Sequence, residues 1–310
     1  MMSLPSILCF TKMHGTGNDF VVLDALAHML PDDFDCGAAA PVLCARHRGI
    51  GGDGLLLLTQ PDPAARAAGA TVRMQMWNPD GSEDMCGNGL RCIARLAARR
   101  GHVPSLHFIV QTLAGLRSAE VLDDGQVRVA MGEPRFALPD IPLRPPDGTP
   151  EATRTNAVEY ILPVQDRWLP HVTSLSTGST HTVIFTDEPV DERTFATLSP
   201  HIEHHPRFPE RTSIMWAHVV GPQRVKLRIW ERGVGETLAC GTGACAAAVA
   251  AHVTGRCGTT VSVESRGGVL QVEWQPGQEI KLAGPARVVF EGKTAMIDES
   301  TRTVHSAATQ

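Results

Sequence analysis

Short apolar, β-branched stretches at 20–23, 55–58, 106–110, 127–131, 225–230, 261–263, 269–274 and 287–290 are bounded by Gly, Pro or Asp. That pattern predicts strands. Two Ala-rich stretches, 90–100 before Gly101 and 244–254 before Gly255, predict helices that end at a glycine C′ residue. A third helix is expected from a cap at Asp191 towards His205. Many strands and few long helices predict an α/β (α+β) protein. The stretch 139–150 contains five prolines in twelve positions, which predicts a loop or a linker between domains.

At 310 residues the chain exceeds what one core usually supports, so two domains are expected. The composition, 43% hydrophobic and 20% charged, is that of a globular protein. A net charge of -5 gives no electrostatic reason for a nucleic-acid or anionic-membrane partner. No run nears the ~18 consecutive apolar residues of a membrane span. The first twenty residues lack the basic and apolar regions of a secretory signal, so the expected location is cytoplasmic. Eight cysteines, none spaced C-x-x-C, suit a reducing compartment and argue against zinc ribbons or thioredoxin-like chemistry. His201, His204 and His205 cluster without an accompanying Cys or carboxylate pattern, so no metal is expected.

The most informative feature is an internal echo. Residues 78–89, N-P-D-G-S-E-D-M-C-G-N-G, open the first Ala-rich helix, and residues 231–243, E-R-G-V-G-E-T-L-A-C-G-T-G, open the second. Each has an acidic, glycine-containing approach followed by C-G-x-G. The two cysteines, Cys86 and Cys240, lie about half a chain apart, which suits two similarly built domains.

A cysteine at a helix start lies near unsatisfied backbone N–H groups and the positive end of the helix dipole, and both favour thiolate over thiol. Flanking glycines leave those N–H groups open to a carboxylate. Two such starts facing each other would place two sulfurs around one anion cradle. That arrangement suits inversion of an amino-acid α-carbon without a cofactor. Oriented N–H groups stabilise the charge that develops on the carboxylate, while one sulfur removes a proton and the other supplies one. With an unperturbed thiol pKa of about 8.5, one thiolate opposite one thiol is within reach near neutral pH. Elsewhere, residues 49–54, G-I-G-G-D-G, match G-x-G-x-x-G but follow a helical stretch and precede an apolar run. This reverses the order that dinucleotide binding requires. Residues 14–20, H-G-T-G-N-D-F, form a polar turn able to line a site.

The blocks 12–20, 78–91 and 231–247 resemble the signature blocks of diaminopimelate epimerases, with weaker matches at 48–56, 129–134, 200–211 and 284–292. The resemblance implies two pseudo-symmetric domains, each mainly β-sheet around a central helix, with the site in the cleft between them. The expected boundaries are 1–132 with a returning segment 286–310, and 133–285. It also implies no cofactor, a homodimer, and conversion of L,L- to meso-diaminopimelate on the route to lysine and peptidoglycan. By the family pattern Cys86 and Cys240 are the acid–base pair. Gly87, Asn88, Gly241 and Thr242 hold the α-carboxylate. Asn18, Asn78, Glu231 and Arg232 contact the rest of the substrate, and His181 lies beside the reacting centre.

Two positions depart from that pattern. Ser179 stands where the family has asparagine in Gly-Asn-Pro-His, and Ser213 replaces an asparagine after the F-P-x-R element. In the family both asparagines grip the distal amino-acid end. A hydroxyl is shorter than an amide and offers fewer bonds. Each lost bond to a buried charged group costs about 1.5–3 kcal/mol, so two losses weaken that selection by roughly a hundredfold or more. The alternatives are therefore a racemase or epimerase of the same fold whose substrate lacks the distal head, a proline-racemase-like enzyme, and a thiol redox protein.

Overall fold

The computed structural model describes residues 7–144 and 155–295. The chain divides into two units, one running to Val121 and resuming at Ala286, the other spanning Leu122–Pro285.

In the first unit the strands are β1 (Ile7–Gly15), β2 (Asn18–Asp24), β3 (Gly54–Thr59), β4 (Ala70–Trp77), β5 (Glu83–Asp84), β6 (His107–Thr112), β7 (Gly115–Val121) and β18 (Arg287–Ala295). Its helices are α1 (Cys36–Leu43), α2 (Pro63–Ala67) and α3 (Gly87–Arg99). The sheet order is β18-β1-β2-β3-β4-β6-β7, with β2/β3 and β4/β6 parallel and the other pairs antiparallel. A two-residue turn joins β1 to β2. Thr16 and Gly17 both have positive φ, 55° and 85°, the left-handed pair that matches the twist of a tight hairpin. The parallel pairs need crossovers, which α1 and α3 supply. Strand β3, G-L-L-L-L-T, is buried on both faces as a parallel strand must be. Leu55 and Leu57 pack with Ala39, Ala40 and Leu43 of α1. Leu56 meets α3 at Gly89, where an added Cβ would approach its Cδ2 to 2.9 Å.

The second unit contains β8 (Val127–Ala130), β9 (Tyr160–Val164), β10 (Arg167–Ser176), β11 (Thr180–Thr186), β12 (Ser213–Gly221), β13 (Arg224–Glu231), β14 (Gly235–Thr237), β15 (Thr260–Ser265), β16 (Gly268–Glu273) and β17 (Lys281–Gly284). Its helices are α4 (Glu192–Glu203) and α5 (Gly241–Val253). Here the order is β9-β10-β11-β12-β13-β15-β16-β17-β8, with β11/β12 and β13/β15 parallel. Phe195, Leu198 and Ile202 of α4 pack on Ile184, Ile214 and Trp216. On the other face Met215 meets α5 at Gly243. Helix α5 touches β10, β11, β12, β13, β15 and β16, and α3 touches β1, β2, β3, β4 and β7, so each sheet curls around its own long helix.

The echo at C-G-x-G therefore extends through both units. Register makes it residue-specific: Leu55 pairs with Trp77 in one unit and Ile214 with Trp230 in the other.

Some expectations need correction. The helices begin at Gly87 and Gly241, three residues before the Ala-rich stretches, because each cysteine serves as N-cap with extended φ/ψ. Two residues on, at Gly89 and Gly243, close packing on Leu56 and Met215 overrides glycine's poor helix propensity. The division between units falls after Val121 rather than after residue 132, since β8 pairs with β17. The described part of the proline-rich stretch is not an interdomain linker. Leu138–Asp140 forms a 3-10 turn, and Ile141 and Leu143 are buried in the second unit's core. Residues 145–150 of that stretch, and 296–310 of the returning segment, lie outside the described residues.

Candidate active site

In the first unit, Cys86 is the half-buried N-cap of α3. Its Sγ donates to Asn18 Oδ1 at 3.5 Å, and Asn88 Nδ2 donates to the same oxygen at 3.3 Å. Asn88 Oδ1 accepts from Arg91 Nη2 at 2.8 Å, and that nitrogen also donates to Thr16 Oγ1 at 2.9 Å. Asn18 Nδ2 donates to Asp53 Oδ2 at 2.8 Å. Asp53 and Asp19 share Arg46, and Lys12 joins Asp19. Burial pushes the Asp19 carboxyl up, but hydrogen bonds from Arg46 and Lys12 prevail and hold it at about 2. Structure thus brings Cys86, Gly87, Asn88 and Asn18 together. Asn78 lies in the approach loop, where its Nδ2 donates to Ser82 Oγ at 3.1 Å and Asp84 Oδ2 at 3.4 Å.

In the second unit, Cys240 is the buried N-cap of α5, and Gly243 N donates to its Sγ at 3.4 Å. Thr242 Oγ1 lies 3.4 Å from the same sulfur, and Thr177 Oγ1 donates to Thr242 O at 2.9 Å, tying the β10–β11 turn to the helix start. Glu231 ends β13 and accepts from Thr237 Oγ1 at 2.5 Å. Ser213 Oγ accepts from Arg232 N at 3.1 Å. His181, cross-strand from Ser213, has its Nε2 3.0 Å from Ser179 Oγ.

Electrostatics at Cys240 runs against its helix start. A helix N-terminus favours thiolate, yet the Cys240 thiol is pushed well above its ordinary value. Burial is the largest cause and the Glu231 carboxylate adds to it, while the bonds from Thr242 and Gly243 pull only partly back. Burial, assisted by Arg232, lowers His181 to about 3, so its ring is neutral.

Several residues that organise these groups were missed in the sequence. Asp53 lies in the glycine-rich stretch set aside as a false dinucleotide motif, a loop that indeed runs from helix to strand. Arg91, fully buried in α3, also organises the site, and nothing in the local pattern sets it apart from Arg95 one turn on. Glu203, also buried, accepts from Gly233 N at 2.8 Å, Trp230 Nε1 at 2.8 Å and Arg211 Nη1 at 3.3 Å. It pins the turn that carries Glu231 and Arg232, and nothing in its local sequence marks it. The three clustered histidines are engaged locally: His201 with Gln165 and Thr197 O, His204 with Pro200 O, and His205 with Pro163 O.

A family model described as diaminopimelate epimerase matches residues 10–137 and 173–289. A diaminopimelate epimerase of Desulforudis audaxviator is 45% identical over 289 residues, covering 92% of this chain and 98% of that protein. Another, of Pelotomaculum thermopropionicum, is 42% identical over 292 residues, covering 92% and 98%. The chain belongs to the diaminopimelate epimerase family. It is accordingly an isomerase of the racemase and epimerase class. A solved hydroxyproline epimerase from Agrobacterium vitis superposes with a TM-score of 0.64 at 15% identity, covering 94% of this chain and 93% of that one. That likeness shows a shared fold. In this member of the family, Ser179 and Ser213 are engaged by their own protein, through His181 and the Arg232 amide.

Proposed function

We propose that the chain interconverts L,L- and meso-diaminopimelate by moving one α-proton between Cys86 and Cys240. The observation that carries this is the matched pair of helix-capping cysteines, one in each of two units of the same topology. The reaction needs an acceptor on one face of the α-carbon and a donor on the other. Cys240, held protonated by burial and by Glu231, is the resting donor. Cys86 then takes the proton as thiolate. The C–H bonding pair stays on the α-carbon as charge spreads into the carboxylate, and the Cys240 proton closes the opposite face. Backbone N–H groups of Gly87, Asn88, Gly241 and Thr242 steady the carboxylate, as helix starts do for anions. Asn18, Asn78, Glu231 and Arg232 contact the remainder, and neutral His181 lies beside the reacting centre. No external electron sink is required.

The same reading includes a homodimer and a cytoplasmic location. Support for the dimer comes from β18, which pairs only with β1 among the described strands and exposes Val289 and Phe290. An exposed nine-residue edge strand is a template for pairing, here with a second copy. Among the described residues no helix is long and apolar enough to cross a membrane.

The test is α-proton exchange in heavy water, followed by NMR, with L,L-diaminopimelate and a panel of other L-amino acids. Rapid exchange of diaminopimelate alone supports the proposal. A second reading, a substrate without the distal amino-acid head, is motivated by the internal engagement of Ser179 and Ser213. Restoring asparagine at both should lower KM for diaminopimelate about a hundredfold with little change in kcat. An unchanged KM favours the second reading.

A further inference from the structure

The glycine-rich stretch 49–54 has no part in the reaction so far, yet it carries a carboxylate to the back of Asn18. A carboxylate can only accept, so the Asn18 group facing Asp53 Oδ2 at 2.8 Å must be its NH2. The Asn18 oxygen is thereby turned towards Cys86 and Asn88. A second constraint agrees with the first. Arg91 can only donate, so it holds the Asn88 oxygen and leaves the Asn88 NH2 to face the same Asn18 oxygen. Two amides are thus locked in one orientation by one anion and one cation.

We infer that Asp53 is a positioning residue that fixes the Asn18 amide so that its oxygen accepts from the Cys86 thiol, favouring the thiol in the free protein. When substrate takes up the Asn18 oxygen, the half-exposed Cys86 loses that proton to solvent water and is left as the thiolate base. This rests on Cys86 being half of the acid–base pair. Asp53 is itself held: its Oδ1 accepts from Arg46 Nη2 at 2.6 Å, and its Oδ2 also accepts from Asp19 N at 3.0 Å. The charged and titratable groups around Cys86 are Asp53, Asp19, Lys12 and Arg46 behind Asn18, Arg91 behind Asn88, Asp84 in the approach, and Cys92 farther along α3. Of these, Asp53 bonds the Asn18 amide directly, and Arg91 acts on it through Asn88.

Asp53→Leu removes the anion that holds Asn18 Nδ2 and leaves only the Asn88 lock on the amide. The Asn18 oxygen is then held less firmly against Cys86 Sγ, and the thiolate gains. The experiment is iodoacetamide labelling at pH 7 without substrate, with mass spectrometry resolving each cysteine. Cys86 labelling should rise about threefold in Asp53→Leu and about tenfold in Asn18→Leu, which has no acceptor at all, with Cys240 and Cys92 unchanged. These are the effects of roughly one weakened and one lost hydrogen bond. Asp53→Glu, which keeps a carboxylate, should stay nearer wild type than Asp53→Leu. Asn18→Leu serves if Asp53→Leu does not fold. Unchanged Cys86 labelling in the variants that fold overturns the inference. So does a parallel rise at buried Cys92, which would mean that the helix has loosened, or a rise in Asp53→Glu as large as in Asp53→Leu. Labelling uses no substrate, so this outcome is separate from the exchange test of the reaction.

Discussion

Behind the capping cysteine of the first unit stands a charged scaffold: Lys12, Asp19, Arg46, Asp53 and, on the helix, Arg91. At the corresponding place in the second unit the scaffold is mostly hydroxyls. Ser174 Oγ, Thr182 Oγ1 and Thr212 Oγ1 are linked at 2.9 Å each, with Tyr160 attached at 2.8 Å. Topology and register are shared, so backbone geometry cannot be the source of the difference. Hydroxyls are both donor and acceptor and can sit in a closed core without a counter-charge, which suits the buried sulfur of Cys240. Charged groups impose a definite donor or acceptor direction, which suits Cys86, whose thiol meets one end of an amide. One fold thus prepares two chemically unlike thiols.

The most severe test of that comparison removes each sulfur. Cys86→Ala and Cys240→Ala should each lower inversion by on the order of a thousandfold or more, since one face loses its acid or base. Inversion near the wild-type rate in either variant would break the two-sided mechanism, however similar the units.

Next comes acid. His181 is held at about 3 in the folded chain against about 6.5 unfolded, so the unfolded state binds more protons below pH 6.5. Its contribution is fully present above pH 6.5 and is lost as pH falls towards 3. Between pH 6.5 and 5 this is about 2 kcal/mol. Urea unfolding of His181→Gln should lack that slope. In the first unit Asp19, near 2 when folded and about 3.9 unfolded, stabilises above pH 4 and loses that effect as pH falls to about 2. Identical acid slopes in wild type and His181→Gln would show that the two scaffolds do not differ in this way.

The smallest effect sharpens the comparison at the packing level. Alanine in the second glycine of each C-G-x-G gains about 1 kcal/mol of helix propensity but overfills the contact with the third strand. The Cβ at 243 would come within 2.5 Å of Met215 Sδ, and that at 89 within 2.9 Å of Leu56 Cδ2. Unbranched methionine yields more easily than leucine inside a parallel strand. Gly89→Ala should therefore lose about 1–2 kcal/mol and Gly243→Ala less than about 1 kcal/mol, measured by urea midpoints. The reverse order would mean that Met215 is pinned.

Legibility varied with the physics of each segment. All eight apolar runs lie in or beside strands, and Asp191 caps α4 by accepting from Thr194 N. The segment 173–182, T-S-L-S-T-G-S-T-H-T, reads as loop, yet most of it lies in the β10 and β11 strands. Ser174 and Thr182 find their hydroxyl partners across strands, and Thr177 finds its own at the start of α5, which single-sequence pattern has no means of showing. Strand β4 alternates buried and half-buried positions, but its M-Q-M-W composition obscured the period.

The sequence by itself determined the family, the internal repeat and the two cysteines, because motif residues and glycine-limited helix starts are local. Only the tertiary structure decided the surroundings of each sulfur. Burial of Cys240 beside Glu231 raises one thiol against the pull of its own helix. Asp53, thirty-five residues from Asn18, sets which end of an amide faces the other. Desolvation and hydrogen-bond direction depend on what the folded chain brings close in space.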